Sequence, residues 1–206
     1  MSRYGLFNET RTTNTNALFF AIQAAFCSFP GDPLRKDLQE ITGQISASTD
    51  PAVQSGLAAK GCSLAGDAVP LIQYCVWDYS LVPNVAKTEF LSWIDGIADN
   101  VREASQDGSD IGFETMDTCY FVVTLVLLSS HPTLKSWLEY LELKSPSEFF
   151  TRASIERLWK RFARPDGKII QSAENALFAV TPAAGDRFYS CAQLRSDDWD
   201  YLRPVY

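Results

Sequence analysis

The chain has 206 residues, 46% of them hydrophobic and 21% charged, with a formal net charge of −7. That length fits a single domain over 1–206, able to bury roughly 70% of the surface its unfolded chain exposes. The apolar and charged shares exclude a disordered chain, and the acid excess disfavours nucleic acid as a partner, since phosphates would be repelled.

The pattern predicts an all-α fold, a helical bundle. Thr13-Asn14-Thr15-Asn16 supplies capping residues before the apolar stretch from Ala17, which predicts a first core helix over about 16–29. That stretch follows Arg3 and Arg11 and loosely imitates a signal peptide, but Gln23 interrupts it and Glu9 sits among the bases. Asp32-Pro33 and Asp50-Pro51 are helix starts, an acidic cap followed by proline at the first position. They predict a second helix carrying Leu34, Leu38, Ile41 and Ile45, and a third ending near Gly61. A fourth helix is expected over about 67–81.

The best-written helix runs from about 84 to 105, with Phe90, Ile94, Ile97 and Val101 on one stripe. Glu114–Ser129 reads as a central buried helix, apolar nearly all round after Asp117. Its most apolar part, Cys119–Leu128, falls well short of the roughly 20 residues that a membrane span needs, so no membrane role is expected. Pro132 opens a short helix, and Ser147-Glu148 leads into a basic amphipathic one with Ile155, Leu158, Trp159 and Phe162 inside. Residues 165–206 form a less regular C-terminal cap, a possible appendage. There 168–171 and 187–194 could pair as a small β-ribbon around a helix over 173–180. Deep burial is expected for Ile94, Ile97, Phe121, Leu125, Leu127 and Leu158.

Cys27, Cys62, Cys75, Cys119 and Cys191 form no CxxC pair and no zinc spacing. They read as core thiols of a protein in a reducing, cytoplasmic compartment, with no cofactor and no metal expected. The segment Asp107–Gly112 imitates a calcium loop. Its alignment puts Ile111 at an oxygen-ligand position and Thr118 where a bidentate glutamate belongs.

Charge carries the main functional expectation. Glu89, Asp95, Asp99, Glu103, Asp107, Asp110, Glu114 and Asp117 face the single base Arg102, and together they account for the whole net charge. Asp95, Asp99 and Glu103 are stacked four apart, at a cost of only about 0.2–0.5 kcal/mol per like-charge pair. A solvated face is the plain reading, and Glu114 and Asp117 also suit the first turn of a helix through its dipole. The functional reading is a binding surface made of Asp95, Asp99, Glu103, Asp107, Asp110 and Glu114. It would dock a basic protein partner, as inhibitors and immunity-type proteins do.

Two alternatives stand beside it. Gly61-Cys62-Ser63-Leu64-Ala65 is a degenerate nucleophile elbow, and Ser63 with His131 downstream keeps the order of a small hydrolase. The stretch Gly56–Lys60 reads as helix, which argues against the strand such an elbow needs, so an enzyme is the less favoured class. A subunit of a structural assembly is the other alternative. The basic face Arg157, Lys160, Arg161 and Arg164 is either solvated or meets the acidic segment of a second copy in a homodimer. In the tail, Trp199 and Leu202 are expected to pack on the body.

Overall fold

The two apolar runs that resemble core helices are the two central strands of an antiparallel sheet. The computed structural model describes residues 6–7, 16–106, 118–142, 145–164, 168–182, 188–195 and 199–206. Seven strands are described: β1 (Leu6–Phe7), β2 (Leu18–Ser28), β3 (Ile72–Ser80), β4 (Cys119–Ser129), β5 (Asn175–Thr181), β6 (Tyr189–Ser190) and β7 (Arg203–Pro204). Six lie in the order β1-β5-β4-β2-β3-β7, and β6 pairs with the start of β4. The helices are α1 (Pro33–Ala47), α2 (Pro51–Asp67), α3 (Pro83–Gln106), α4 (Pro132–Glu142), α5 (Pro146–Phe149) and α6 (Arg152–Ala163). The fold is therefore mixed α/β, and the all-α bundle is corrected.

The helix starts with side-chain signals are where the sequence puts them. Asp32 accepts from the Leu34 N–H at 2.9 Å and Asp50 from the Ala52 N–H at 2.9 Å. Pro33 and Pro51 each stand at the first helical position, where a missing N–H costs nothing. The α2 helix continues past Gly61 to Asp67, and the basic stretch divides into α5 and α6 at Thr151, whose hydroxyl caps Ser154.

The corrections all concern strands. Residues 119–129 are β4, not the end of a central helix, and residues 114–117 lie outside the described residues. Residues 18–28, 72–80 and 175–181 are strands where helices over 16–29, 67–81 and 173–180 are expected. The β-ribbon is also corrected. Residues 169–172 form a turn, while Tyr189–Ser190 pairs with β4. For β2, β4 and β5, which are buried almost throughout, one physical reason holds, whereas β3 is largely half-buried or exposed. Every residue of β4 is buried, because both faces of the sheet are covered, so the alternation that marks a half-exposed strand is absent. The β-branched and aromatic residues Tyr120, Phe121, Val122, Val123, Thr124 and Val126 fit a pleated surface better than a helix.

The sheet is the middle of three layers. On its first face, Phe20, Ile22, Phe26, Val123, Leu125 and Phe178 pack on α1, α2, α4 and α6. Phe20 sits 4.9 Å from the Phe162 ring and 5.1 Å from that of Trp137, which ties α6 and α4 to the middle of β2. On the second face, Phe19, Ala21, Val126 and Leu177 lie under the α3 stripe of Ala86, Phe90 and Ile97. The rest of that face is covered by the C-terminal segment through Tyr189, Leu194, Trp199 and Leu202, so these last two do pack on the body. Of the residues expected in the core, Phe121, Leu125, Leu127, Ile97 and Leu158 are buried and Ile94 is half-buried.

Two glycines of α2 have opposite roles. A Cβ at Gly61 would run into the Phe178 ring, so glycine sets how closely α2 approaches β5. A Cβ at Gly56 would meet nothing within 4 Å. Gly61→Ala is expected to destabilise by about 1–3 kcal/mol through overpacking. Gly56→Ala is expected to stabilise by about 0.5–1 kcal/mol through helix propensity. Urea unfolding of both variants checks this, and a stabilised Gly61→Ala would contradict the close packing.

Candidate functional site

Among the described residues, the second face carries two surfaces open to another molecule. The first is the outside of α3. Its buried stripe of Ala86, Phe90 and Ile97 fixes the rotation of the helix and turns Leu91 and Asp95 to solvent. Helical periodicity sets positions 99 and 103 one and two turns beyond Asp95 along the helix. The side chains of Asp99 and Glu103 lie outside the described residues, as do Asp107, Asp110 and Glu114 altogether. Glu89, at the start of the acidic run, is half-buried.

The second surface is a groove of about 500 Å³ between the start of β3 and the C-terminal segment. Its lining is mixed: Leu194, Trp199, Leu202 and Val205 are buried, while Gln73 and Pro204 are exposed. Its rim carries the exposed Arg195 and Asp200. Arg195 Nη2 donates to the Tyr74 hydroxyl at 3.3 Å, and that oxygen lies 3.9 Å from Cys191 Sγ. The Tyr74 and Tyr120 rings meet edge to face at 6.1 Å. The sequence gives little local sign of this groove, because its walls come from residues 73–74, 194–195 and 199–205, brought together only by sheet pairing. The mixture of acids and aromatics in the tail is the one hint, and it does not say what they surround.

A short polar chain separates the two surfaces. Gln23 and Thr124 are cross-strand neighbours, both buried. Gln23 Nε2 donates to Thr124 Oγ1 at 3.0 Å, and the Tyr201 hydroxyl donates to Gln23 Oε1 at 3.0 Å. With both ends of the amide bonded, the buried glutamine avoids a desolvation cost of about 1–3 kcal/mol. The same bonds hold the C-terminal segment against the sheet.

The remaining sequence candidates are dispersed. Ser63 is exposed in the middle of α2, and α2 is helical throughout, so no strand-to-helix elbow forms there. His131 Nδ1 accepts from the Thr133 N–H at 3.2 Å, which makes the imidazole a helix cap for α4. On α6, Arg157 donates to Ala153 O and Ser154 Oγ, and Lys160 pairs with Glu156 at 2.6 Å and Asp67 at 3.6 Å. Arg161 is half-buried and Arg164 exposed. Among the described residues no group of acids, histidines and cysteines could hold a metal ion, and no helix is long and apolar enough to cross a membrane.

All five cysteines are free thiols. Burial pushes the Cys62 and Cys75 thiols far up from the usual range, so their thiolates are suppressed. Cys27 and Cys191 are half-buried. A bulky disulfide reagent at pH 8 is expected to label Cys191 and Cys27 first and to reach Cys62 and Cys75 only as the protein unfolds. Mass mapping of the adducts checks this, and early labelling of Cys62 or Cys75 would contradict their burial.

The Tyr120 hydroxyl is pushed up from 10.0 to about 12, first by burial and then by the Cys191, Tyr74 and Cys27 groups around it, with Arg195 pulling the other way. The unfolded chain then ionises this group before the folded one does. Its contribution to stability is complete below about pH 10 and is lost as pH rises to about 12. Tyr120→Phe is expected to flatten the fall of the melting temperature across that window. A wild-type slope in the variant would show that Tyr120 does not titrate there.

No protein-family model, no curated protein and no solved structure matches the chain.

Proposed function

We propose that the protein is an interaction domain that docks a basic protein partner on the outer face of α3. One observation carries this reading. The helix spends its apolar stripe on the sheet and turns toward solvent the side that bears Asp95, within the segment that holds the whole net charge of the chain. Leu91 stands 52% exposed one turn before Asp95, so an apolar contact adjoins the acidic line. A surface of this kind raises the encounter rate with a cationic partner more than it deepens the final affinity. An inhibitor or immunity-type protein that neutralises a cationic enzyme is the role such a surface suits.

The triple change Asp95→Asn, Asp99→Asn, Glu103→Gln removes three charges with little change of shape. Stability is expected to hold or rise slightly, since like-charge pairs are relieved. Association with a partner captured from the native cell at low salt is expected to slow. Its salt dependence should flatten as the Debye length falls from about 30 Å at 0.01 M to about 10 Å at 0.1 M. Arg157→Gln with Lys160→Gln is the control and should bind as wild type. Stopped-flow rates over a salt series decide, and a triple variant that associates as fast as wild type at every salt concentration overturns the proposal.

A further inference from the structure

Large apolar side chains left exposed in this chain are not spread evenly. Among the described residues eight stand exposed, and Val82, Val85 and Leu91 all fall at the start of α3, at 57%, 43% and 52%. Val82 opens the helix, its C=O accepting from the Val85 and Ala86 N–H groups at 2.9 Å. The buried stripe of Ala86, Phe90 and Ile97 fixes which way the others face. Each step of three residues, from Val85 to Thr88 to Leu91, turns the helix by about 60°, so Val85 and Leu91 stand on either side of Thr88. Thr88 is exposed, as are Asn84 and Ser92 on the same side. Charge divides this side lengthwise. The exposed Lys87 and the half-buried Glu89 lie on opposite flanks and offset one another, which leaves the first half of α3 near neutral. The exposed acids begin at Asp95, and positions 99 and 103 continue toward the C-terminal end, where the helix dipole is negative as well.

We infer, on the docking role proposed above for α3, that the partner's contacting element is an amphipathic helix, apolar toward one end and rich in lysine or arginine toward the other. An exposed helix side with apolar residues takes an apolar stripe, and the acids at its far end select cations. An extended strand does not fit, because it needs a free sheet edge and the backbone groups inside a helix already bond to one another. A second copy of this chain does not fit either, since its basic helix α6 buries Ile155, Leu158, Trp159 and Phe162 in its own core. The two halves of α3 then act on different steps. The acids set how fast the partner arrives, and the apolar end sets how long it stays.

Three synthetic helical peptides serve as probes. The first carries leucines along one face of its first half and lysines in its second half. In the second peptide glutamine replaces the leucines, and in the third glutamine replaces the lysines. Val85→Thr with Leu91→Asn removes the apolar contact and keeps every charge, and melting curves confirm that the variant is folded. Affinities at low salt come from fluorescence anisotropy and rates from stopped flow. Wild type is expected to hold the first peptide at least tenfold more tightly than the second, because burial of one valine or leucine side chain is worth about that factor or more. The double variant should lose this margin through faster dissociation, with an unchanged association rate. Equal affinities of wild type for the first and second peptides would overturn the amphipathic element and leave charge docking in place. A double variant that releases the first peptide no faster than wild type would do the same. A third peptide that binds as tightly as the first, or no binding of the first at low salt, would overturn both the amphipathic element and the docking role of the acids.

Discussion

The pairing of β2 with β4 is the constraint that organises all the other elements. The ladder runs from Leu18 opposite Ser129 to Ser28 opposite Cys119, and nearly every residue in it is buried. Backbone N–H and C=O groups placed that deep must bond to one another, because no water reaches them. Two strands side by side meet this need only if β3 and β5 continue the sheet on either side. Side chains then point both ways from the ladder, and each face needs a cover. The burial of phenylalanines on opposite faces, Phe20 and Phe26 on one and Phe19 on the other, is worth about 1.5–3 kcal/mol for each side chain.

The two covers are built differently. Four helices pack on the first face, with the Trp137 and Phe162 rings tilted against Phe20 of β2. The second face is shared between one long helix and a C-terminal segment with little regular structure. The bonded chain of Thr124, Gln23 and Tyr201 stands between their two apolar clusters. That division gives the second face its two outward features, an acidic helix side and a groove. The open edge of the sheet near the groove is blunted. Pro204, with no N–H, stands opposite Tyr74, and Val205 N–H closes the pair by donating to Gln73 O at 3.0 Å. Beyond that pair, the Tyr79 N–H is taken by the Asp78 carboxylate at 2.7 Å, which leaves fewer free donors for another strand to use.

Helices were legible wherever a local signal marked them. Asp32-Pro33 and Asp50-Pro51 name their own starts through a side chain two residues from the amide it caps. The stripe of Phe90 and Ile97 reads as a helix face because the residues that share it lie within a few turns of chain. The strands were not legible for the opposite reason. Cys119–Ser129 contains no polar face, and an apolar run without alternation has the same appearance in a buried helix and in a buried strand. The burial expected of Phe121, Leu125 and Leu127 holds, since hydrophobicity sets depth whichever backbone carries it. Thr13–Asn16 has the composition of a helix cap, yet the next element is β2, where partners in β3 and β4 outweigh the local preference.

Composition and local order determined the acidic segment, the starts of α1 and α2, the amphipathic face of α3 and which residues are deeply buried. These depend on charges and contacts a few residues apart, which the chain carries wherever it folds. Tertiary structure alone decided that residues 18–28 and 119–129 pair as strands, that Ser63 and His131 serve two different helices, and that Tyr74, Arg195 and Trp199 share one groove. Each of those outcomes depends on hydrogen bonds and packing between segments far apart in the chain, 121 residues in the case of Tyr74 and Arg195. No window of sequence contains both partners of such a contact.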